Sequence, residues 1–459
     1  MTTPRETPKW SSQLAVYLGT VGAAVGLGSI WRFPYLAGNY GGGTFIAVFV
    51  VAALFIATPL LVAEFMIGRY GRVAPLRASG AMARDIGASA RWNIIGQLGT
   101  AAAFIIGSYY TIIAGWVVAY AWKCASGTLS GLARPQVQAE WQRFLGDPWA
   151  LAGWQLVFLG LVGYISARGL GRGIELASKV RAPALLLLLL VLDGYALATG
   201  DVGRTVAFAF APHAASLSGE LVLAAIGQAF YATGVGIAIM ITYGSYMDRE
   251  APLVRPALVI TGSILAVSLL ATLLVFPLVF RFGMDPAGGP ALVFDVLPTA
   301  FAAMPAGRLF GTVFFALLIL AALTPSLAVF EPVVSWCESR GISRARASIV
   351  TVLALGVAGI PSVLSFNVLS GWHPLGFLQL FAARTFFDTA DFIASNLLLP
   401  LGALLTCLFT GWRLDRARFY AEFSDRDRRV AGLCRVLLRY VCPAAIVAVI
   451  ATTLLSSQH

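Results

Sequence analysis

Long apolar segments separated by short polar ones follow one another along the whole chain. Eleven of them reach about 20 mostly apolar residues, the length that crosses a bilayer as a helix, and are predicted as membrane spans. Their approximate bounds are 12–37, 44–69, 92–124, 149–167, 176–198, 220–246, 255–281, 307–337, 345–365, 384–412 and 433–455. Between the seventh and eighth spans, the proline-rich stretch 286–304 predicts an outer loop that dips back as a small helical hairpin.

The first span contains a segment that a helix tolerates poorly, GAAVGLGSIWRFP, from Gly22 to Pro34. Its closely spaced glycines weaken the helix at mid-membrane. Broken backbone is tolerated there only where protein buries it or where it lines a cavity, and its freed amides and carbonyls can then bind ligands. The alternative is that the glycines only allow close helix packing. Arg32, a charge within a span, favours the functional interpretation.

A second interruption lies in the sixth span, at 227–238, GQAFYATGVGIA, where Gly234 and Gly236 break the pattern. Two interrupted spans five helices apart are typical of inverted-repeat transporters with a midplane binding site. We therefore predict an all-α integral membrane protein of about 11 helices, built as a five-plus-five inverted repeat with spans 1 and 6 broken. The predicted divisions are a cytoplasmic segment 1–11, a transporter core 12–412, and a cytoplasmic loop with helix 11 at 413–459.

Composition agrees with a polytopic membrane protein, because 59% of the residues are hydrophobic and only 12% are charged. The net charge of +11 lies in short loops, which indicates topology rather than nucleic-acid binding. The excess of Lys and Arg in alternate loops predicts a cytoplasmic N-terminus in the bacterial inner membrane, and an odd number of spans then places the C-terminus outside. The five cysteines show no CxxC spacing and the three histidines are isolated, so we expect no metal cluster and no enzyme.

Few charges lie in or near the spans, and each needs a partner. They are Arg32, Glu64, Asp193, Glu331, Arg384, Asp388 and Asp391. Glu64 is expected to accept hydrogen bonds from broken backbone or to be protonated. Arg32 and Asp391 are both expected near the outer surface, where they could form either a closable salt bridge or a permanent structural pair.

The motifs together resemble the neurotransmitter:sodium symporter family, and within it the bacterial leucine and hydrophobic amino-acid transporters. The matching segments occur in the family's order and cover most of the chain: GAAVGLGSIWRFPY, NYGGGTF, EFMIGRYGR, GSYYTIIAGW, RGLGRGIE, GQAFYATGVGIAIMITYGSY, ALTPSLAVFEPVV and DFIASNLLLPLG. The resemblance implies a secondary active symporter that works by alternating access.

The resemblance also implies a site for a small zwitterion. Its carboxylate would meet the amides of Leu27 and Gly28 and the hydroxyl of Tyr110. The implied carbonyls for its ammonium are those of Ala24, Tyr231 and Ala232, and the implied side-chain pocket is Ala23, Ile106, Gly234, Ile237, Pro325 and Val329. Gly26 stands where amine-transporting members carry an aspartate, which favours amino acids. An apolar pocket with a GxG at Gly234 and Gly236 favours hydrophobic or aromatic ones.

Gate residues carry over in the same way. Arg32 and Asp391 match an outer pair, with Gln228 and the aromatic lid Tyr231 beneath them. On the inner side, Trp10 and Glu338 match gate positions, with Arg5 or Lys9 as the cation.

The implied sodium sites are incomplete. The first would use the Ala24 carbonyl with Ser29, Ala232 and Leu253, and it is expected to be lost; Ala257 at the chloride position predicts no chloride dependence. The second would use the carbonyls of Gly22, Val25 and Ala321 with the Thr324 hydroxyl, and Na⁺ is expected here, although Pro325 replaces a second hydroxyl beside Ser326.

Other coupling schemes stay open at this point. They are proton coupling or sodium-independent exchange, and a non-transporting amino-acid sensor. For the first two, Glu64, Asp193 and Asp388 are the candidate proton carriers and Lys179 is the candidate substitute cation. The expected partners are the substrate and the lipid bilayer, and the oligomeric state is undetermined.

Overall fold

The elements below come from a computed structural model that describes residues 9–211, 217–287, 293–304 and 306–455. Within these residues, nine helices are long and apolar enough to cross a membrane. A bent pair, Gln13–Ala24 and Gly28–Asn39, passes the same test as one broken span with a 48° bend. The sixth predicted span is also divided, into Gly219–Thr233 and Ile239–Ser245. The all-helical fold predicted from the sequence is confirmed.

We number the spans in chain order, counting each divided span once. Spans 1 and 6 are the two divided ones. The others are span 2, Gly43–Gly71; span 3, Ala90–Ser126; span 4, Pro148–Ala167; span 5, Gly173–Thr199; span 7, Val254–Arg281; span 8, Gly307–Glu338; span 9, Arg344–Leu364; span 10, Phe386–Arg413; and span 11, Arg428–Thr452.

Shorter helices cover the ends of the bundle. They are Pro75–Asp85, Arg134–Gly146, Val202–Phe210, Val296–Ala303 and Arg416–Ala421. The expected outer hairpin at 286–304 contains the helix Val296–Ala303, while its residues 288–292 lie outside the described part. The loop predicted at 413–432 is largely helical instead, because span 11 begins at Arg428 rather than near 433.

Span 1 breaks where its glycines predict. Its first half ends at Ala24, and its second half begins when the amides of Ser29 and Ile30 both donate to the carbonyl of Gly26. The absence of a Cβ on Gly26 is required here, because a Cβ would lie 2.4 Å from Cγ of Pro325 in span 8. Pro325 therefore packs directly on the broken backbone.

The break in span 6 depends on left-handed backbone. Gly234 and Gly236 have φ of +66° and +88°, a region that glycine enters without steric penalty, and Ala238 follows with φ +57°. Small residues also bring span 6 close to its neighbours: a Cβ on Gly68 of span 2 would lie 2.1 Å from the carbonyl oxygen of Ile241. Close approach at small residues is how membrane helices pack tightly.

Spans 3 and 8 pack against each other through the middle of the molecule. At one end of these two spans, an aromatic cluster packs the covering segments against the bundle, since edge-to-face and stacked rings add to the packing. It consists of Trp116, Tyr120, Trp141, Phe294 and Phe315, with ring centroids 5.1 to 6.1 Å apart in the contacting pairs. The breaks of spans 1 and 6 both lie on one cavity inside the bundle.

Candidate functional site

A cavity lies between the broken segments of spans 1 and 6. The structure brings all twelve substrate positions named from the sequence to its wall: Ala23, Ala24, Gly26, Leu27, Gly28, Ile106, Tyr110, Tyr231, Ala232, Gly234, Ile237 and Val329. Pro325 lines it as well, as expected, together with Ile239 and Leu399. Among the described residues, no charged side chain lines this cavity.

The span 1 side of the cavity presents backbone donors. Because the first helical bonds of the second half are donated by Ser29 and Ile30, the amides of Leu27 and Gly28 form the open first turn of a helix. Such a turn attracts a carboxylate through its amides and its dipole. The hydroxyl of Tyr110, on span 3, is buried at the cavity wall and has no hydrogen-bond partner among the described residues, so it is free to donate to a ligand.

The opposite side presents backbone acceptors. The helix Gly219–Thr233 ends where the Gly234 amide donates to the carbonyl of Phe230, so the carbonyls of Tyr231 and Ala232 belong to its open last turn. The carbonyl of Ala24 ends the first half of span 1. Helix C-termini favour a cation. One wall thus favours a carboxylate and the other an ammonium group.

Two wall residues were missed from the sequence. Ile239 begins the second half of span 6, and Leu399 lies in span 10, in DFIASNLLLPLG. The carbonyl of Leu399 would lie 2.4 Å from a Cβ on Gly236, so span 10 packs against the break itself. Only the close approach of these two backbones, which no sequence pattern reveals, places Leu399 at the cavity.

A buried carboxylate holds the span 6 break. Oε1 of Glu64 in span 2 accepts a hydrogen bond of 2.7 Å from the amide of Gly236, and the side chain is 1% exposed. Of the two alternatives expected for Glu64, acceptance from broken backbone is observed. Glu64 lies behind the cavity wall rather than in it.

Tyr231 and Gln228 cover the cavity on the side expected to face outward. The guanidinium carbon of Arg32 lies 4.2 Å from the centroid of the Tyr231 ring, and Nε2 of Gln228 donates to the carbonyl of Gly28 at 2.7 Å. Asp391 accepts instead from the hydroxyls of Tyr109 at 2.7 Å and Ser395 at 2.9 Å. A direct Arg32–Asp391 salt bridge is not formed within the described residues, because each charge is engaged by an aromatic side chain.

Trp10 lies just before the first half of span 1, on the other side of the break from Arg32. Its indole nitrogen donates to the carbonyl of Tyr243 at 3.2 Å, and its ring packs edge-on against those of Tyr243 and Tyr246. Glu338 pairs with Arg344 at 3.3 Å. Of the two cations proposed from the sequence, Lys9 pairs with Asp248 at 3.8 Å, and Arg5 lies outside the described residues.

Comparison with known proteins decides the family. The profile of the Sodium:neurotransmitter symporter family matches residues 6–143 and 145–459. The chain belongs to this family. It is 37% identical over 445 residues to the uncharacterized sodium-dependent transporter YhdH of Bacillus subtilis, covering 96% of each protein. An uncharacterized sodium-dependent transporter of Haemophilus influenzae is 33% identical over 430 residues, covering 91% of this chain and 92% of that protein.

The fold agrees with this membership. The crystal structure of MhsT in complex with L-phenylalanine superposes with a TM-score of 0.88 at 35% identity, covering 97% of this chain and 99% of MhsT. The chain is therefore an integral membrane transporter rather than an enzyme. Membership in this family of symporters implies Na⁺ as the coupling ion.

The residues expected to bind sodium between spans 1 and 8 do not fit that ion. The guanidinium of Arg181, in span 5, donates from Nη2 to the carbonyl of Gly22 at 3.0 Å and from Nη1 to the carbonyl of Leu320 at 2.8 Å. Sequence reasoning missed Arg181 and named Lys179 as the substitute cation. Lys179 is instead half-exposed and pairs with Glu175 at 3.7 Å.

The first sodium position remains poor in side-chain oxygens, as the sequence predicts. Ser29 is buried with a hydroxyl that lacks a hydrogen-bond partner in the described part of the chain. Ala232 and Leu253 are buried apolar residues that supply no side-chain oxygen. Ala257, at the expected chloride position, is buried and apolar as well.

Proposed function

We propose that this transporter carries an apolar or aromatic amino acid by alternating access. The observation that carries the proposal is the opposition, across one cavity, of the open amides of Leu27 and Gly28 and the open carbonyls of Tyr231 and Ala232. A zwitterion buried there has a backbone partner for each charge, which offsets the cost of removing both charges from water.

The side chain of the substrate would lie on the apolar part of the wall. Ile106, Ile237 and Val329 line it, and Gly234 leaves room because it has no Cβ. None of the described wall residues carries a charge that could pair with a cationic or anionic substrate side chain. The complex of MhsT with L-phenylalanine, a protein of the same fold, supports an aromatic amino acid as the first candidate.

In the proposed cycle, substrate enters from the outside under Arg32 and Tyr231 and leaves to the cytoplasm past Trp10. The two closures are separate clusters at opposite ends of the cavity, so each can open while the other stays closed. The proposed orientation places the N-terminus in the cytoplasm and the C-terminus outside, following the distribution of Lys and Arg.

The test is uptake of labelled phenylalanine and leucine by purified protein in proteoliposomes, with Tyr110→Phe as the variant. Loss of a hydrogen bond to a charged carboxylate costs about 1.5–3 kcal/mol, or about tenfold to a hundredfold in affinity. Tyr120→Phe is the matched control, because Tyr120 is a buried tyrosine of the same span that does not line the cavity. Equal affinities in the two variants would refute the carboxylate position, and binding without uptake would favour a sensor.

A further inference from the structure

The contact between spans 1 and 8 is where a sodium ion is expected, and it holds a side chain of span 5. Arg181 is 3% exposed, and its guanidinium links the carbonyl of Gly22 in span 1 to the carbonyl of Leu320 in span 8. A buried guanidinium is always charged, so it must be paired with oxygen acceptors or opposite charges. Here it is paired with the backbone of the two spans that a sodium ion would join.

The backbone at this contact favours a cation of some kind. Gly22 lies in the last turn of the first half of span 1, where carbonyls lack helical partners and the helix dipole is negative. On span 8, Pro325 has no amide hydrogen, so the carbonyl of Ala321 loses its helical donor. Unwound carbonyls and half-helix C-termini are the groups that bind cations in this type of transporter.

The position of the guanidinium excludes a second cation close by. A Cβ built on Gly22 would lie 2.9 Å from Nη2 of Arg181 and 2.8 Å from the methyl carbon of Thr324, so the guanidinium reaches the space between Gly22 and Thr324. The hydroxyl of Thr324 is buried with no hydrogen-bond partner among the described residues. Like charges that close together repel strongly in a medium of low dielectric constant.

We propose that Arg181 acts as a tethered cation that replaces sodium at the contact between spans 1 and 8. The guanidinium supplies the positive charge that holds Gly22 and Leu320 together, so sodium does not bind at the set Gly22, Val25, Ala321 and Thr324. Arg181 is a positioning residue, because it does not line the substrate cavity. The proposal goes beyond the proposed function and does not depend on which substrate is carried.

The decisive variants are Arg181→Ala and Thr324→Val, measured by thermal unfolding of the purified protein without substrate. Sodium is titrated against choline at constant ionic strength. A ligand that binds only the folded state raises the melting temperature progressively with its concentration. Sodium should change the melting temperature of Thr324→Val to the same extent as that of the unchanged protein, because the Thr324 hydroxyl binds no ion.

Arg181→Ala removes the charge and opens room beside the same carbonyls. It should gain a sodium-dependent rise in melting temperature, and the double variant with Thr324→Val should lose that gain. Arg181→Lys, which keeps a cation, should behave as the unchanged protein does.

Two outcomes overturn the proposal: a weaker sodium response in Thr324→Val alone, or no gained response in Arg181→Ala. If Arg181→Ala does not fold, the comparison of Thr324→Val with the unchanged protein still decides. A failure of amino-acid uptake would leave these results intact, because they need no substrate.

Discussion

Oε1 of Glu64 accepts a hydrogen bond from the amide of Gly236, and so a carboxylate in span 2 fixes the backbone break in span 6. The two residues are 172 positions apart in the chain. No side chain fits at Gly236, because a Cβ there would lie 2.4 Å from the carbonyl oxygen of Leu399. The shape of one cavity wall therefore depends on a side chain that does not touch the cavity.

Replacing Glu64 tests this role. Glu64→Ala leaves the Gly236 amide buried without an acceptor, which should cost about 1–3 kcal/mol and lower substrate affinity by deforming the wall. Glu64→Gln keeps an amide oxygen that can accept the same bond, so it should retain most of the stability and the affinity. Melting temperature and phenylalanine binding measure both effects. Equal losses in the two variants would show that the charge, rather than the hydrogen bond, matters.

Gly26 should tolerate no side chain while Pro325 is present. Gly26→Ala places its Cβ 2.4 Å from Cγ of Pro325, too close for any real contact, so we expect loss of substrate binding and a lower melting temperature. The double variant Gly26→Ala with Pro325→Ala removes the clashing ring atoms. It should therefore recover part of the substrate binding and part of the melting temperature. Interaction energies of this kind are measured by a double-mutant cycle. Additive effects of the two substitutions would contradict the packing argument.

The sequence predicts the spans and the cavity well, for a physical reason. Apolar length and glycine-rich breaks are local signals, and they suffice to name the two broken spans. The twelve wall residues were named from the resemblance to the family, because its motifs match most of the chain. The partners of charged residues are not local. Asp391 accepts a hydrogen bond from Tyr109 and forms no ion pair with Arg32 in the described part of the chain, because helix rotation and tilt decide which side chains meet. Arg181 was missed for the same reason. An arginine near the end of a predicted span is usually interpreted as a charge at the membrane surface, and the sequence does not show that its partners lie on spans 1 and 8.

Arg344 and Glu331 form a buried ion pair that should contribute strongly to stability where span 8 leads into span 9. Glu331 is 0% exposed, its carboxylate lies 2.6 Å from Nη2 of Arg344, and the Tyr246 hydroxyl donates to it at 2.5 Å. Arg344→Ala leaves the carboxylate buried without its counter-charge, which typically costs about 3–5 kcal/mol. The double variant with Glu331→Gln should recover part of that loss.

Arg340→Ala is the control for this prediction, because Arg340 is exposed and stacks on Trp336 in the adjoining turn. It should change the melting temperature little, since exposed charged residues contribute about 1 kcal/mol or less. If Arg344→Ala were no more destabilising than Arg340→Ala, the buried pair would contribute little to the stability of the protein.

Ile106 should set the size of the accepted side chain. It is 4% exposed and lines the cavity from span 3, as Gly234 does from span 6. Ile106→Phe fills apolar volume without adding a charge, so bulky substrates should be excluded more than small ones. We expect the ratio of the affinity for phenylalanine to that for alanine or valine to fall by about tenfold. The reason is that losing the fit of an apolar group costs about 1–3 kcal/mol of binding free energy. Competition against a labelled amino acid measures this ratio within one protein sample, so a general loss of folding cancels. An unchanged ratio would place the substrate side chain elsewhere in the cavity.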